Sequence, residues 1–188
     1  MNFVGVGGSS VLTEKSVLEE AGLFDESMHG AEDWDLWIRI ARTRKVYSLN
    51  EYLVRYRFRP GQSSRNAPRM TEGLRRLCSK VLASESESGA MDRRARRRLI
   101  QRYGFEIADL WKSAAYTRLF KDGDAKTFRA YIRNGLKSDR SQFGWKVWVY
   151  YLLSFVSVPL CRRIKKLKKT DRAAEFPDKV CDVKDLRF

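Results

Sequence analysis

Imidazole is almost absent from this chain, where His29 is the single histidine. Cysteine is scarce too. Cys78, Cys161 and Cys181 are odd in number, far apart, and show no metal-ligand or redox spacing. A structural zinc site, and a Ser-His-Asp triad away from His29, are thereby excluded. Unpaired thiols at such spacing make a reducing compartment the default. No charged-then-apolar leader stands at the N-terminus. What is present suffices for a core, with 43% hydrophobic residues in 188, enough for one domain or one domain with an appendage. Charge is unevenly placed. Residues 1–66 carry 9 Lys+Arg against 9 Asp+Glu, whereas residues 67–188 carry 29 against 14 and so hold the whole net charge of +15. A basic second part attracts phosphates, whether of nucleic acid or of anionic lipid.

Along the chain, residues 2–7 alternate small and apolar side chains and read as a strand. Thr13 suits an N-cap, Val17, Leu18 and Ala21 then share a helix face, and Gly22 stops that helix. Trp34, Trp37, Ile38 and Ala41 follow helical spacing, with Leu36 and Ile40 widening the apolar face. Asp35 and Arg39, four apart, are expected to pair on the exposed side. Residues 45–49 and 52–58 read as two strands, and Pro60-Gly61 turns the chain out. Residues 70–83 read as a helix and residues 84–89, alternating Ser and Glu before Gly, as a polar linker. A long helix over 92–120, the breaker Asp122-Gly123-Asp124, and a second helix burying Phe128, Tyr131, Ile132 and Leu136 predict an antiparallel hairpin.

The stretch that bears most on chemistry is Gly30-Ala31-Glu32-Asp33-Trp34-Asp35-Leu36-Trp37. An acidic pair opens a helix whose next turns are apolar. Glu32 and Asp33 can simply complement the positive end of the helix dipole, worth about 0.3–1 kcal/mol each. Alternatively, a carboxylate at a cleft edge, backed by a helix fixed in a core, can serve as a catalytic base. The flanks favour the second reading. Upstream, Gly8-Ser9-Ser10-Val11-Leu12 precedes a helix ending in Gly22-Leu23-Phe24-Asp25-Glu26. Downstream, Tyr52-Leu53-Val54-Arg55-Tyr56-Arg57-Phe58-Arg59 runs into Pro60-Gly61-Gln62-Ser63-Ser64.

In this order and spacing the three blocks resemble the acceptor-side half of family 2 glycosyltransferases of the GT-A fold, over roughly residues 3–66. The resemblance implies an α/β fold: the C-terminal half of a GT-A nucleotide-sugar transferase domain, followed by a helical hairpin and a membrane-associated helix. It also implies sugar transfer, with inversion, from a nucleotide-diphosphate donor to a saccharide or lipid-linked acceptor, in surface polysaccharide or glycolipid synthesis. By the same resemblance Asp33 is the base, and Glu32 supports it or helps bind the acceptor. Ser9 and Ser10 fall beside the substrate cleft, or else merely end a strand tightly. Trp34 and Trp37 can each stack on a sugar ring, although tryptophans at helical spacing are more often core; Trp34, bordering the acidic pair, is the better site candidate. Arg57 and Arg59 are placed to clamp phosphate. Many relatives carry a histidine where Arg59 stands, and arginine does not ordinarily ligate a metal. Mg or Mn is implied by the family, but its Asp-x-Asp ligand motif belongs to a nucleotide-binding half that this sequence does not show. Asp33-Trp34-Asp35 and Asp122-Gly123-Asp124 lie in a helix and a helical turn, so no metal residues are assigned. The chain by itself is expected to bind a nucleotide sugar poorly.

Residues 143–160 form the second informative segment, with Lys146 the single charge among aromatic and apolar residues. A polybasic run, Cys161-Arg162-Arg163-Ile164-Lys165-Lys166-Leu167-Lys168-Lys169, follows at once. Three readings stand open: an interfacial or re-entrant helix, a true span, or a buried helix of a soluble protein. The expected organisation is therefore an acceptor-side half over 1–66, a helical extension over 67–140, a membrane-associated helix with polybasic flank over 141–170, and a disordered tail over 171–188. The expected location is the cytoplasm, peripheral at the inner membrane face against an anionic lipid surface, with a single span as alternative. The competing reading is a non-catalytic basic helical protein that binds the membrane surface or nucleic acid. It rests on Arg93-Arg94-Ala95-Arg96-Arg97-Arg98 and the C-terminal lysines; no nucleic-acid recognition motif accompanies that charge. Sugar, acceptor, linkage and oligomeric state are not specified by the sequence.

Overall fold

A computed structural model describes residues 8–49, 51, 54, 62–88 and 91–170. Among these residues every regular element is helical: α1 (Lys15–Glu20), α2 (Glu32–Thr43), α3 (Ala67–Ser88), α4 (Arg93–Thr117), α5 (Ala125–Ser138), α6 (Trp145–Leu153) and α7 (Val158–Thr170), with short 3-10 turns and one π turn between them. The α/β, GT-A expectation is overturned for the described residues, which contain no strand and no sheet. Residues 45–49 are irregular, with Val46, Tyr47 and Leu49 exposed. Among the described residues they have no neighbouring strand to take their backbone hydrogen bonds, and an extended segment without a partner is not a ladder. The expected strand over 2–7 lies outside the described residues, as does all of 52–58 except Val54.

α1 ends as Gly22 demands. The Gly22 and Leu23 amides donate to the Glu19 and Leu18 carbonyls (3.0 and 2.9 Å), and Gly22 takes a left-handed φ of 80°. This is the paired closure that a C-terminal glycine permits. The start differs from expectation, because Glu14 rather than Thr13 occupies the N-cap position. α2 then buries two faces. Leu36, Trp37 and Ile40 pack with Val11, Val17, Leu18 and Ala21, while Trp34 and Ile38 join the cluster of Leu74, Leu77, Tyr103, Ile107 and Trp111 on α3 and α4.

α3 is longer at both ends than its apolar pattern implies, and it includes the Ser-Glu stretch read as a linker. Arg42 of α2 explains part of that extension. It donates to Ser84 Oγ (2.8 Å) and pairs with Glu85 (2.6 Å). α4 opens with arginines, which the positive helix end disfavours. Asp92 offsets this by capping the Ala95 amide at 2.6 Å.

The α4–α5 hairpin forms as the sequence implies. α4 runs into a π turn, Arg118–Asp122, then turns at Gly123, and Asp124 caps α5 by accepting from the Thr127 amide (2.9 Å). Phe128 and Ile132 are fully buried against Ala108 and Ala115 of α4 and Leu119 of the π turn, where two alanines let the helices approach closely. Trp111 meets Tyr131 edge-on at 4.8 Å and links this core to the α2–α3 core.

The apolar segment 143–160 is not one helix. α6 ends at Leu153 and α7 begins at Val158. Pro159 would clash with the Phe155 carbonyl in a continuous helix and has no amide to donate there. Ser154 Oγ instead donates to the Tyr151 carbonyl (2.6 Å), and Ser157 Oγ accepts the Leu160 amide (3.3 Å). No helix among the described residues is long and apolar enough to cross a membrane.

Candidate active site

The loop before α2 sets the acidic pair. Gly30 has φ 95°, and a Cβ there would lie 2.8 Å from the Arg69 carbonyl oxygen. A Cβ on Gly73 of α3 would lie 2.6 Å from the His29 carbonyl oxygen. Two glycines thus let residues 29–31 press backbone to backbone against the first turns of α3. Ala31 is buried at this crossing and caps α2 without a side-chain hydrogen bond.

Asp33 compensates in part for the missing cap, while Glu32 ties down the loop before it. Glu32 accepts the Gly30 amide, and Asp33 Oδ1 accepts the Trp34 amide at 2.9 Å. Both side chains are half-buried. Burial pushes the Asp33 carboxyl above the ordinary aspartate value; the Trp34 amide pulls the other way, and the charge of Glu32 adds to the rise. The arrangement caps a helix and also yields a partly desolvated carboxylate beside a second acid. Trp34 is half-buried in the α2–α3–α4 cluster, so most of its ring serves packing. Trp37 is core, edge-on to Phe24 at 6.4 Å.

Behind the pair lies an ionic network of which the sequence revealed only the Asp35–Arg39 pair. Asp35 is only 3% exposed, contrary to the expectation that it lies on the solvent side. It does pair with Arg39 (2.8 Å), and it also receives Lys80 of α3 (2.9 Å). Lys80 reaches Asp25 as well (2.8 Å). The Arg39 guanidinium goes on to donate to the Ala21 and Leu23 carbonyls, the latter at 2.7 Å, at the end of α1. Hydrogen bonds from Lys80 first, and from Ser27 second, hold Asp25 well below the usual carboxylate range. Burial depresses the Lys80 ammonium, but Asp25 and Asp35 together outweigh it and raise its pKa. The network fixes α1, α2 and α3 around the acidic pair. Lys80 lies 45 positions from Asp35 in the sequence, so no local pattern could have paired them.

Ser9 and Ser10 lie exposed in the 3-10 turn Gly8–Ser10. They immediately precede Val11, which packs on the α1-facing side of α2. Arg57 and Arg59 lie outside the described residues. The structure therefore groups Glu32, Asp33 and Trp34 on one helix end and sets the two serines on a segment leading into the same helix's core. His29 is exposed in the loop.

A divalent cation finds no fitting donor set among the described residues. No three His, Cys, Asp or Glu side chains converge as a metal site needs. The two aspartates that do share a cation, Asp25 and Asp35, share Lys80. A shallow groove of about 370 Å³ opens at the other end of α2, lined by Val17, Glu20, Ala21, Arg39, Thr43 and Arg44. It contains none of the candidate site residues.

The likeness to known proteins is to glycosyltransferases. The chain is 31% identical over 77 residues to an uncharacterized glycosyltransferase of Rickettsia typhi and 30% identical over 77 residues to one of Rickettsia prowazekii; each match covers 41% of this chain and 24% of the relative. An uncharacterized glycosyltransferase of Rickettsia bellii is 29% identical over 82 residues, covering 44% of this chain and 12% of the relative. The chain thus spans about a quarter or less of the length of these curated relatives. No family model matches the chain, and no solved structure matches it.

Proposed function

We propose that this chain supplies acceptor-side residues of a glycosyltransferase of the family 2 type, with Asp33 as the general base. The single observation that carries the reading is the half-buried Asp33 at the α2 N-terminus, its pKa raised by burial, in a chain similar to proteins named glycosyltransferases. A carboxylate accepts hydrogen bonds at two oxygens. With Oδ1 on the Trp34 amide, Oδ2 can take the proton of an acceptor hydroxyl as that oxygen attacks the sugar's anomeric carbon. The nucleoside diphosphate then leaves from the opposite face, which inverts the anomeric configuration. A raised pKa makes the carboxylate a stronger base toward the acceptor hydroxyl.

Glu32, through the Gly30 amide, holds the loop that presents Asp33. Trp34 offers a ring edge to a saccharide, and Ser9, Ser10, Arg57 and Arg59 are assigned to substrate and diphosphate. The acceptor is a saccharide or a lipid-linked saccharide of a surface polymer or glycolipid. No step is routed through a metal ion.

The test is a transfer assay on extracts of the source cells, with and without the gene, against a panel of nucleotide-diphosphate sugars. The expected result is gene-dependent release of a nucleoside diphosphate, with a product of inverted anomeric configuration by NMR. Extracts lacking the gene that match the wild type for every donor would overturn the reading.

A further inference from the structure

The α6–turn–α7 unit presents apolar surface that the fold leaves in solvent. On α6, Val147 and Tyr150 face the core, while Trp145, Trp148, Val149 and Leu152 follow i, i+3, i+4, i+7 on the outer face. Trp145 is 67% exposed and Leu152 66%. The surface continues into the turn, where Phe155 is exposed and Val156 is 82% exposed, and onto Leu160 at the start of α7. A helix apolar on all sides is ordinarily covered on all sides, and a contiguous exposed patch of this kind marks an interaction site.

The bend that displays these residues is built into the fold. Arg129 of α5 donates to the Ser154 carbonyl (2.8 Å) at the end of α6 and lies over the Phe155 ring (4.3 Å). Arg162 of α7 donates to the Phe120 and Lys121 carbonyls of the π turn (3.1 and 3.0 Å), and Lys165 lies over the Phe120 ring (4.1 Å). Cys161 is buried in the α4–α5 core. The turn is thus fixed at both flanks, with its apolar tip outward.

Charge identifies the occupant. Residues 140–170 contain no Asp or Glu and eight Lys or Arg: Arg140, Lys146, Arg162, Arg163, Lys165, Lys166, Lys168 and Lys169. Lys146, Arg163 and Lys165 are exposed. A second copy of the chain meeting this face would oppose cation to cation. Nucleic acid would meet the cations but leave Leu152, Val156 and Leu160 without apolar contact. An anionic bilayer satisfies both features, because acyl chains take the apolar tip and headgroup phosphates take the cations. Tryptophans suit the boundary between the two.

We propose that the α6–turn–α7 unit is a wedge that docks the protein on an anionic lipid surface, with Trp145, Trp148, Leu152 and Val156 entering the headgroup–acyl boundary and the exposed Lys146 and Arg163 binding lipid phosphates. This docking does not depend on the transferase reading and is tested without any sugar donor.

The experiment is flotation of the purified full chain with vesicles of phosphatidylcholine alone and with about one-third phosphatidylglycerol. Wild type is expected to float with the anionic vesicles at least about tenfold more than with the neutral ones. Leu152→Glu with Val156→Glu, both at solvent-facing positions, is expected to lower that binding at least about tenfold with unchanged circular dichroism. Lys146→Glu with Arg163→Glu, both exposed, is a second, independent variant, expected to abolish the preference for anionic lipid. Wild type that stays unbound, or a Leu152/Val156 variant that binds as wild type does, would overturn the wedge. So would concentration-dependent dimerisation abolished by the Leu152/Val156 change, or duplex DNA binding that displaces the vesicles and survives that change.

Discussion

The α1–α2 end and the α4–α7 end of this molecule are held by different physics. Around α2, the fixed points are a buried aspartate shared by two cations, a guanidinium closing the end of α1, and two glycines that let one backbone touch another. Around α4 and α5, the fixed points are Phe128, Ile132, Leu119 and two alanines, all fully buried. Ionic and backbone contacts hold a polar group at a defined place, whereas apolar packing supplies bulk stability with little local chemistry. The acidic pair sits in the first region. The exposed wedge sits on the second, where packing tolerates what the outer face carries.

The contrast can be broken from either side. Phe128→Ala removes a fully buried ring from the hairpin and should cost about 3–5 kcal/mol in urea unfolding; a loss under about 1 kcal/mol would remove the hairpin as the stabilising half. Asp35→Ala comes next. It strands Arg39 and Lys80 around a buried position and should cost about 2–3 kcal/mol, less than a fully dry pair because Lys80 is partly exposed. High salt should leave most of the Asp35 effect in place, since the aspartate itself is buried. Gly73→Ala should cost about 1–3 kcal/mol, because its Cβ meets the His29 carbonyl and one backbone must move. In a transfer assay it should also lower turnover through displacement of residues 30–33, whereas Phe128→Ala should change activity only in proportion to the fraction unfolded.

Much of the second region was legible in the sequence because its signals are local. Helical spacing placed Phe128 and Ile132 inside, and Asp122-Gly123-Asp124 marked the turn that Gly123 and Asp124 make. Gly22 likewise ended α1 where expected. The acidic pair was visible as a helix opening, but its support was not, since Lys80 and Gly73 come from another helix far along the chain. Asp35 was misplaced on the solvent side because helical spacing reports which residues share a face and not whether a distant lysine can neutralise one of them. The break between α6 and α7 has a local signal in Pro159, which has no amide to continue a helix. The strand read over 45–49 finds no partner among the described residues, and a local run of β-forming residues cannot supply one.

The burial of Asp33 also fixes a sign. A carboxyl whose pKa is raised in the fold contributes no cost below the unfolded value, and it subtracts stability once pH rises through the folded value. The most direct measurement pairs turnover with thermal stability for Asp33→Asn, introduced at the native locus and as purified chain. The account predicts transfer lowered at least about 100-fold, a melting temperature equal to or above wild type, and a wild-type pH–rate profile whose acid limb lies above the ordinary aspartate value of 3.8. Turnover retained in Asp33→Asn, or a melting temperature that falls along with it, would contradict Asp33 as the base and leave it a helix cap.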